Sequence, residues 1–233
     1  MQGFDQKYGQ TLILFHDMRL ILFLFRTIFY LLYHQFAWIY DAVAAVVSLG
    51  RWNDWVHSVI PYLDGRILEI GFGPGHLQLS LQEQALSVFG LDESRQMARQ
   101  AIHRLHNKGF PSNLSRGYAQ HLPFPENVFD AVVATFPAEY IFDPQTLTEI
   151  RRVLVMNGKL IVVPMAWITG KRPIERLAAW LFRVTGEAPG KPGTISTEMR
   201  SQFARAGFKV RGESINMRGS QVLVVIAIRT LSH

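Results

Sequence analysis

From Gly65 onward the chain alternates short apolar runs with helix-length stretches, and this alternation is what most narrows the folds open to it. Residues 67–70, 86–91, 131–135 and 159–164 read as buried strands, with a weaker strand near 114–117. Helices are expected in between: one reaching about Glu83, one through 97–106 and one over 144–154. Strands that take turns with helices predict a mostly parallel sheet covered on both faces. The end of the chain breaks the pattern, since 208–217, a turn at 218–220 and 221–229 read as a closing antiparallel hairpin. The expected fold is therefore α/β, a doubly wound seven-stranded sheet over residues 61–233. An apolar helical extension over residues 1–60 precedes it.

The turn after the first strand carries the densest motif. In "ILEIGFGPGHLQLSL", residues 67–81, Gly71, Gly73 and Gly75 fall between a strand and a helix, and Pro74 suits a helix's first turn. Such a turn aims the free N–H groups of a helix start at whatever lies above it, and a missing Cβ lets a ligand come close. A tight turn alone would use the same residues. In open α/β sheets, however, ligands bind outside the carboxyl ends of the strands, where this turn falls. Asp92 ends the second strand, twenty-one residues after Gly71, where a carboxylate can accept both hydroxyls of a ribose. The spacing is G-x-G-x-G with His76 in the sixth place, which weakens a dinucleotide reading and NAD with it. No G-K-[ST] occurs, so a P-loop nucleotide hydrolase is disfavoured as well. Glu69, two residues before Gly71, places a carboxylate where a cationic ligand group would be welcome.

Composition limits the remaining choices. A chain of 233 residues with 48% hydrophobic content suits one domain plus an extension. Cysteine is absent, which excludes disulfides and thiolate metal ligands; no metal site is expected, and a reducing compartment fits. No stretch has a signal-peptide layout, so a cytoplasmic protein is expected. The formal charge of +6 comes from the C-terminal part, where residues 141–233 hold fourteen Lys/Arg against six Asp/Glu. Its densest stretch, from Lys171 to Arg211, fits either an anionic partner or a solvated basic face.

Four motifs taken together resemble a known family. They are "LEIGFGPG", then "VFGLDES" with "RQMARQA", then "GYAQHLPFPENVFDAVVATFP", then "LTEIRRVLVMNGKLIVV". They are similar to those of the class I S-adenosylmethionine-dependent methyltransferases, in particular the small-molecule methyltransferase type 11 group, from Gly65 to about Val163 and more loosely over 203–228. The resemblance implies a Rossmann-like fold, S-adenosyl-L-methionine as cofactor and methyl transfer to a small molecule. It also implies that Glu69 and the turn of Gly71, Phe72, Gly73 and Gly75 hold the amino acid end of the cofactor and that Asp92 takes the ribose. Glu93 and Ser94 would flank the adenine, with Met97 packing nearby. Where the family usually has Asp in "G-D-A-x-x-L-P-F", this chain has Tyr118, which leaves the Ala119 backbone N–H for the base and a ring that can stack on it. Asn157-Gly158 would make the turn that "P-G-G" makes in the family.

Methyl transfer from a sulfonium disperses positive charge, so alignment and exclusion of water are the protein's main tasks. A base helps if the acceptor is a hydroxyl or an acidic carbon, and Glu139 is the first candidate, followed by His121 and Asp143. Each has a plainer reading: Asp143 as a cap before Pro144, His121 as a loop residue, Glu139 as a solvated side chain. The "N-P-P-Y" signature of nucleic-acid amino methylation is absent, the corresponding place reading "ATFPAEY", so no nucleic-acid partner is expected. A non-catalytic cofactor-binding or membrane-associated module is the alternative of another class, and an NAD-dependent oxidoreductase ranks below it.

Two segments outside the common core are expected to choose the substrate. Residues 165–195 hold Trp167, Trp180 and Phe182 and read either as a lid helix with aromatic pocket walls or as a helix packed on the sheet. The run from Thr11 to Tyr40 is apolar but interrupted by Asp17, Arg19 and Arg26, which argues against a span. Arg19 and Arg26 share one side of a helix with His16, Tyr30 and Tyr33, while Ile21, Ile28 and Leu32 lie opposite. That layout suits a peripheral membrane-surface helix, a pocket cover or the packing element of a homodimer. The expected acceptor is a small, apolar or lipid-like molecule.

Overall fold

The computed structural model describes residues 48–170, 172, 173, 175 and 193–230, all within a compact unit that begins at Ala44. Helix α1 (Trp52–His57) and a 3-10 turn (Ile60–Tyr62) lead into β1 (Arg66–Ile70). There follow α2 (His76–Glu83), β2 (Ser87–Asp92), α3 (Arg95–His106), β3 (Leu114–Arg116) and β4 (Phe129–Thr135). A 3-10 helix (Glu139–Phe142), α4 (Pro144–Val153) and β5 (Leu154–Ile168) come next, then α5 (Thr197–Arg205), β6 (Phe208–Met217) and β7 (Ser220–Arg229). Residues 11–40 and most of 171–192, including Trp180 and Phe182, lie outside the described residues.

The seven strands form one sheet in the order β3-β2-β1-β4-β5-β7-β6. β1 to β5 run parallel, and β7 pairs antiparallel with both β5 and β6. This is the doubly wound sheet with a closing hairpin that the alternation of segments predicts.

Side-chain alternation explains why both faces are covered. Leu68, Val132, Leu160, Val162, Leu223 and Val225 belong to one buried cluster, and their chain neighbours Ile67, Ala131, Val133, Ile161, Val222 and Val224 to another. Strands apolar on both faces cannot leave either one to water, so helices must cover both. Trp55, Val56 and Val59, N-terminal to the boundary drawn at residue 61, are core residues of the second cluster. Trp55 is 2% exposed and donates its indole N–H to Ser220 Oγ at 2.9 Å, which ties α1 to the start of β7.

Caps fix the helix starts. Ser94, Asp143 and Ser196 accept hydrogen bonds from the backbone N–H groups of Met97, Gln145 and Met199, satisfying donors that the helix leaves unpaired.

The fifth strand departs most from the sequence reading, being far longer than 159–164. Its pairing with β4 jumps from Phe129↔Leu154 to Ala131↔Lys159, so the expected Asn157-Gly158 turn is a bulge within the strand, with Asn157 at φ 63°. At the other end β5 runs past Pro164, through a second register shift, to Ile168. Trp167, expected on a lid helix, is therefore a strand residue. The proline is tolerated where the ladder is already broken.

Candidate functional site

The three glycines of the first turn all have positive φ, 73° at Gly71, 52° at Gly73 and 83° at Gly75, but different neighbours. A Cβ on Gly75 would stand 2.8 Å from the Ala101 Cβ and 3.0 Å from its Cα, so this glycine lets α2 start close against α3. A Cβ on Gly71 would meet the Tyr140 hydroxyl at 2.6 Å. On Gly73 it would meet nothing within 4 Å. Two glycines thus serve packing, and the middle one leaves a gap that a ligand can enter.

Asp92 stands beside that gap at the carboxyl end of β2 and is 3% exposed. Its Oδ2 accepts the Gly73 N–H at 2.9 Å and its Oδ1 the Ser94 N–H at 2.8 Å. Burial raises the pKa of its carboxyl, and these two N–H groups oppose the rise. Each oxygen keeps a lone pair for a further donor.

Glu69 lies in the middle of the sheet, paired with Gly90 on one side and Val133 on the other, and is 2% exposed. Gln78 of α2 donates to its Oε2 at 2.9 Å and to the Phe89 carbonyl at 3.1 Å. Burial pushes the Glu69 pKa up to about 8, against the pull of the Gln78 hydrogen bond. The Gln78 Oε1, equally buried, has no hydrogen-bond partner. A buried carboxylate beside an unused carbonyl oxygen is a setting that a cationic group would stabilise. Gln78 escaped the sequence reading because its role depends on α2 folding back over β1.

The other residues named from the sequence are spread around this centre. Phe72 is 3% exposed and packs on Ala98 and Ala101 of α3, so its side chain supports the turn. Met97 is fully buried, Ser94 caps α3, and Glu93 is exposed. The Gly117 N–H donates to the Asp92 carbonyl at 3.2 Å, which sets the following Tyr118 and Ala119 next to the β2 end. Tyr118 is 64% exposed and Ala119 is buried.

On the far side of the turn, the 3-10 helix Glu139–Phe142 faces two ways. Tyr140 points its hydroxyl at the β1 end, 3.5 Å from the Ile70 carbonyl. Glu139 and Phe142 line a cleft of about 990 Å³ between this helix and the start of α5. Its apolar lining includes Met165, Ile195, Met199 and Leu223, and Asp143 and Glu198 add further carboxylates. Asp143 is engaged as the α4 cap and accepts from Gln120 Nε2 at 3.1 Å, which lowers its pKa. His121 is exposed, with Gln145 Nε2 3.4 Å from its Nε2, and does not line the cleft. Of the three candidate bases, Glu139 and Asp143 line the cleft, and of these two Glu139 has no capping role. Tyr140 was not singled out from the sequence, where nothing distinguishes it from its neighbours in "AEYIF".

A family model described as "Methyltransferase domain" matches residues 68–162. The demethylmenaquinone methyltransferase of Symbiobacterium thermophilum is 32% identical over 163 residues, which cover 66% of this chain and 63% of the relative. This chain thus spans less than two thirds of that relative's length. The phosphatidylethanolamine N-methyltransferase of Cereibacter sphaeroides is 33% identical over 102 residues, 42% of this chain and 50% of that one. Among solved structures, the YcgJ protein of Bacillus subtilis superposes with a TM-score of 0.56 at 17% identity, over 77% of this chain and 99% of that one, a likeness of fold. The match begins within β1 and ends within β5, so residues 68–162 carry a methyltransferase domain of the type 11 group of the class I S-adenosylmethionine-dependent methyltransferases, on a sheet of this strand order.

Proposed function

We propose that this protein transfers a methyl group from S-adenosylmethionine to a small apolar or lipid-like acceptor. The observation that carries the reading is the turn at Gly73, open above the backbone and flanked by the buried carboxylates of Asp92 and Glu69. In this reading Asp92 accepts the ribose hydroxyls, and Glu69, with the free Gln78 Oε1, faces the cationic amino end. Tyr118 and the Ala119 N–H border the adenine. When bound, the cofactor supplies an electrophilic methyl on a sulfonium centre. The chain's own share is to align the acceptor, exclude water and, through Glu139, take up a proton where the acceptor must lose one.

The apolar lining of the cleft supports an apolar acceptor, and the relatives named above are by name methyltransferases of demethylmenaquinone and of phosphatidylethanolamine. Among the described residues no helix is long and apolar enough to cross a membrane. Residues 11–40 keep their sequence reading as a helix for a membrane surface, a pocket cover or a homodimer.

Calorimetric titration tests the cofactor assignment. S-adenosylmethionine and S-adenosylhomocysteine are expected to bind with 1:1 stoichiometry and NAD at least about tenfold more weakly, a difference of roughly 1.4 kcal/mol. Tighter binding of NAD would sink the reading.

A further inference from the structure

Residues 94–125 contain five Lys/Arg and no Asp or Glu. They run from the cap of α3 through β3 to the loop before β4. Each of the other described helices carries an acid: Asp54 in α1, Glu83 in α2, Glu149 in α4 and Glu198 in α5. Among the described helices only α3 has none.

The basic side chains of α3 gather on its outer side. Met97, Ala98, Ala101 and Leu105 face the core, and Arg104 donates to the Pro74 carbonyl, whereas Arg95, Arg99, His103 and His106 are exposed. Steps of four and three residues keep these four on one face, so the stripe follows the helix for roughly 16 Å. Exposed Lys108 extends it past the helix end. Arg116, exposed at the end of β3, lies on the same side of the sheet as Leu114, which packs on Ala98 and Ala101 of α3. Its Nη2 donates to the Glu93 carbonyl at 3.3 Å, which holds it beside the start of the stripe, bordered there by the exposed Glu93. Among the described residues Arg95, Arg99 and Lys108 form no salt bridge.

Helix energetics alone would not choose this arrangement. Arg95 sits in the first turn, at the positive end of the helix dipole, and Arg95 and Arg99 are like charges one turn apart; both weaken a helix. Side chains that oppose the element they sit in point to a use outside it. A second observation stands at the same end of the face: Tyr118, two residues beyond Arg116, is the most exposed of the large hydrophobic side chains described. Cations flanked by an exposed amphipathic ring are what a bilayer's head-group layer receives well.

We propose that the outer side of α3, with Lys108, Arg116 and Tyr118, docks the protein on an anionic phospholipid surface. The stripe meets the head-group charge, and the Tyr118 ring enters the head-group layer. The choice of a lipid surface over another polyanion rests on the methyltransferase reading, whose apolar acceptor dissolves in the bilayer on which the face would lie.

Co-sedimentation of the full chain with vesicles of phosphatidylglycerol or of phosphatidylcholine tests this. Wild type is expected to bind the anionic vesicles at least about tenfold more tightly than the neutral ones. Arg95→Gln, Arg99→Gln and Lys108→Gln together should weaken anionic-vesicle binding at least about tenfold. A second variant removes the same charge elsewhere, through the exposed Arg205→Gln, Lys209→Gln and Arg218→Gln. It should lose no more than about twofold, because charge beyond a Debye length from the lipid is screened. Indifference to vesicle charge, or an equal or greater loss in the second variant, overturns the proposal. So does a first variant that keeps its vesicle binding and loses binding to the RNA homopolymer poly(U), which would assign the face to nucleic acid. S-adenosylhomocysteine affinity, read by calorimetry, should be the same in wild type and the first variant. If wild type does not bind S-adenosylhomocysteine while vesicle binding still falls in that variant, the cofactor assignment fails and the docking face stands.

Discussion

Asp92 holds a turn together with one hydrogen bond to each of its oxygens and keeps a lone pair on each. Its two oxygens fasten the backbone at Gly73 and Ser94, so the glycine turn and the start of α3 are held in fixed relation by one buried carboxylate. Two ribose hydroxyls would add hydrogen bonds to a charged acceptor, each contributing roughly 1.5 to 3 kcal/mol. Asp92→Ala is therefore expected to weaken S-adenosylhomocysteine binding at least about tenfold, since ~1.4 kcal/mol is one decade. Calorimetry on the folded variant checks this, and an unchanged affinity would show that the ribose lies elsewhere.

At the scale of elements, the junction of β1 with the 3-10 helix Glu139–Phe142 joins the glycine turn to the cleft beside α5. Gly71 has room for no more than a hydrogen because the Tyr140 hydroxyl occupies the place of its Cβ, only 2.6 Å away, while the ring's Cζ is 3.8 Å away. Gly71→Ala should destabilise the fold by about 2 kcal/mol or more, from left-handed strain and the collision together. Tyr140→Phe removes the colliding oxygen and leaves a carbon at ordinary contact distance. In a double-mutant cycle read by denaturant unfolding, the pair should be less destabilised than the sum of the single changes by about 1 kcal/mol. Additivity of the two changes would mean that Tyr140 does not define the turn.

At the scale of the whole molecule, Glu69 links stability to pH. Burial raises its pKa from the ordinary 4.5 to about 8, so the folded state holds a proton that the unfolded chain releases earlier. That stabilisation is complete below pH 4.5 and is lost as the pH climbs through about 8. Glu149 and Asp143, with lowered pKa values, act in the opposite sense, but their contribution is already complete above pH 5. His57, lowered chiefly by burial, also opposes Glu69 near neutrality, so wild type must be compared with Glu69→Gln. Without ligand, the two proteins should melt at similar temperatures at pH 5. At pH 8 the variant should melt higher by more than about 3 °C. A melting difference that stays constant across this window would show that Glu69 does not hold the proton.

Periodicity alone was enough to define the sheet, because strands buried on both faces and helices capped by Ser94, Asp143 and Ser196 leave their marks within a few residues. The Gly71-Gly73-Gly75 turn and Asp92 were legible for the same reason: a positive φ and a strand-end carboxylate are local requirements. What separates Gly73 from its neighbours is not local, since the collisions at Gly71 and Gly75 come from Tyr140 and Ala101, brought there by the crossovers of the sheet. The Glu69 partner Gln78, the extension of β5 through Trp167 and the cleft between the 3-10 helix and α5 depend on the same long-range contacts. Sequence determined the alternation of strands and helices, the closing hairpin and the place of the glycine turn and of Asp92 at the end of β2. Tertiary structure decided which glycine is open and which carboxylates meet in one cleft, because those facts follow from distances between segments far apart in the chain.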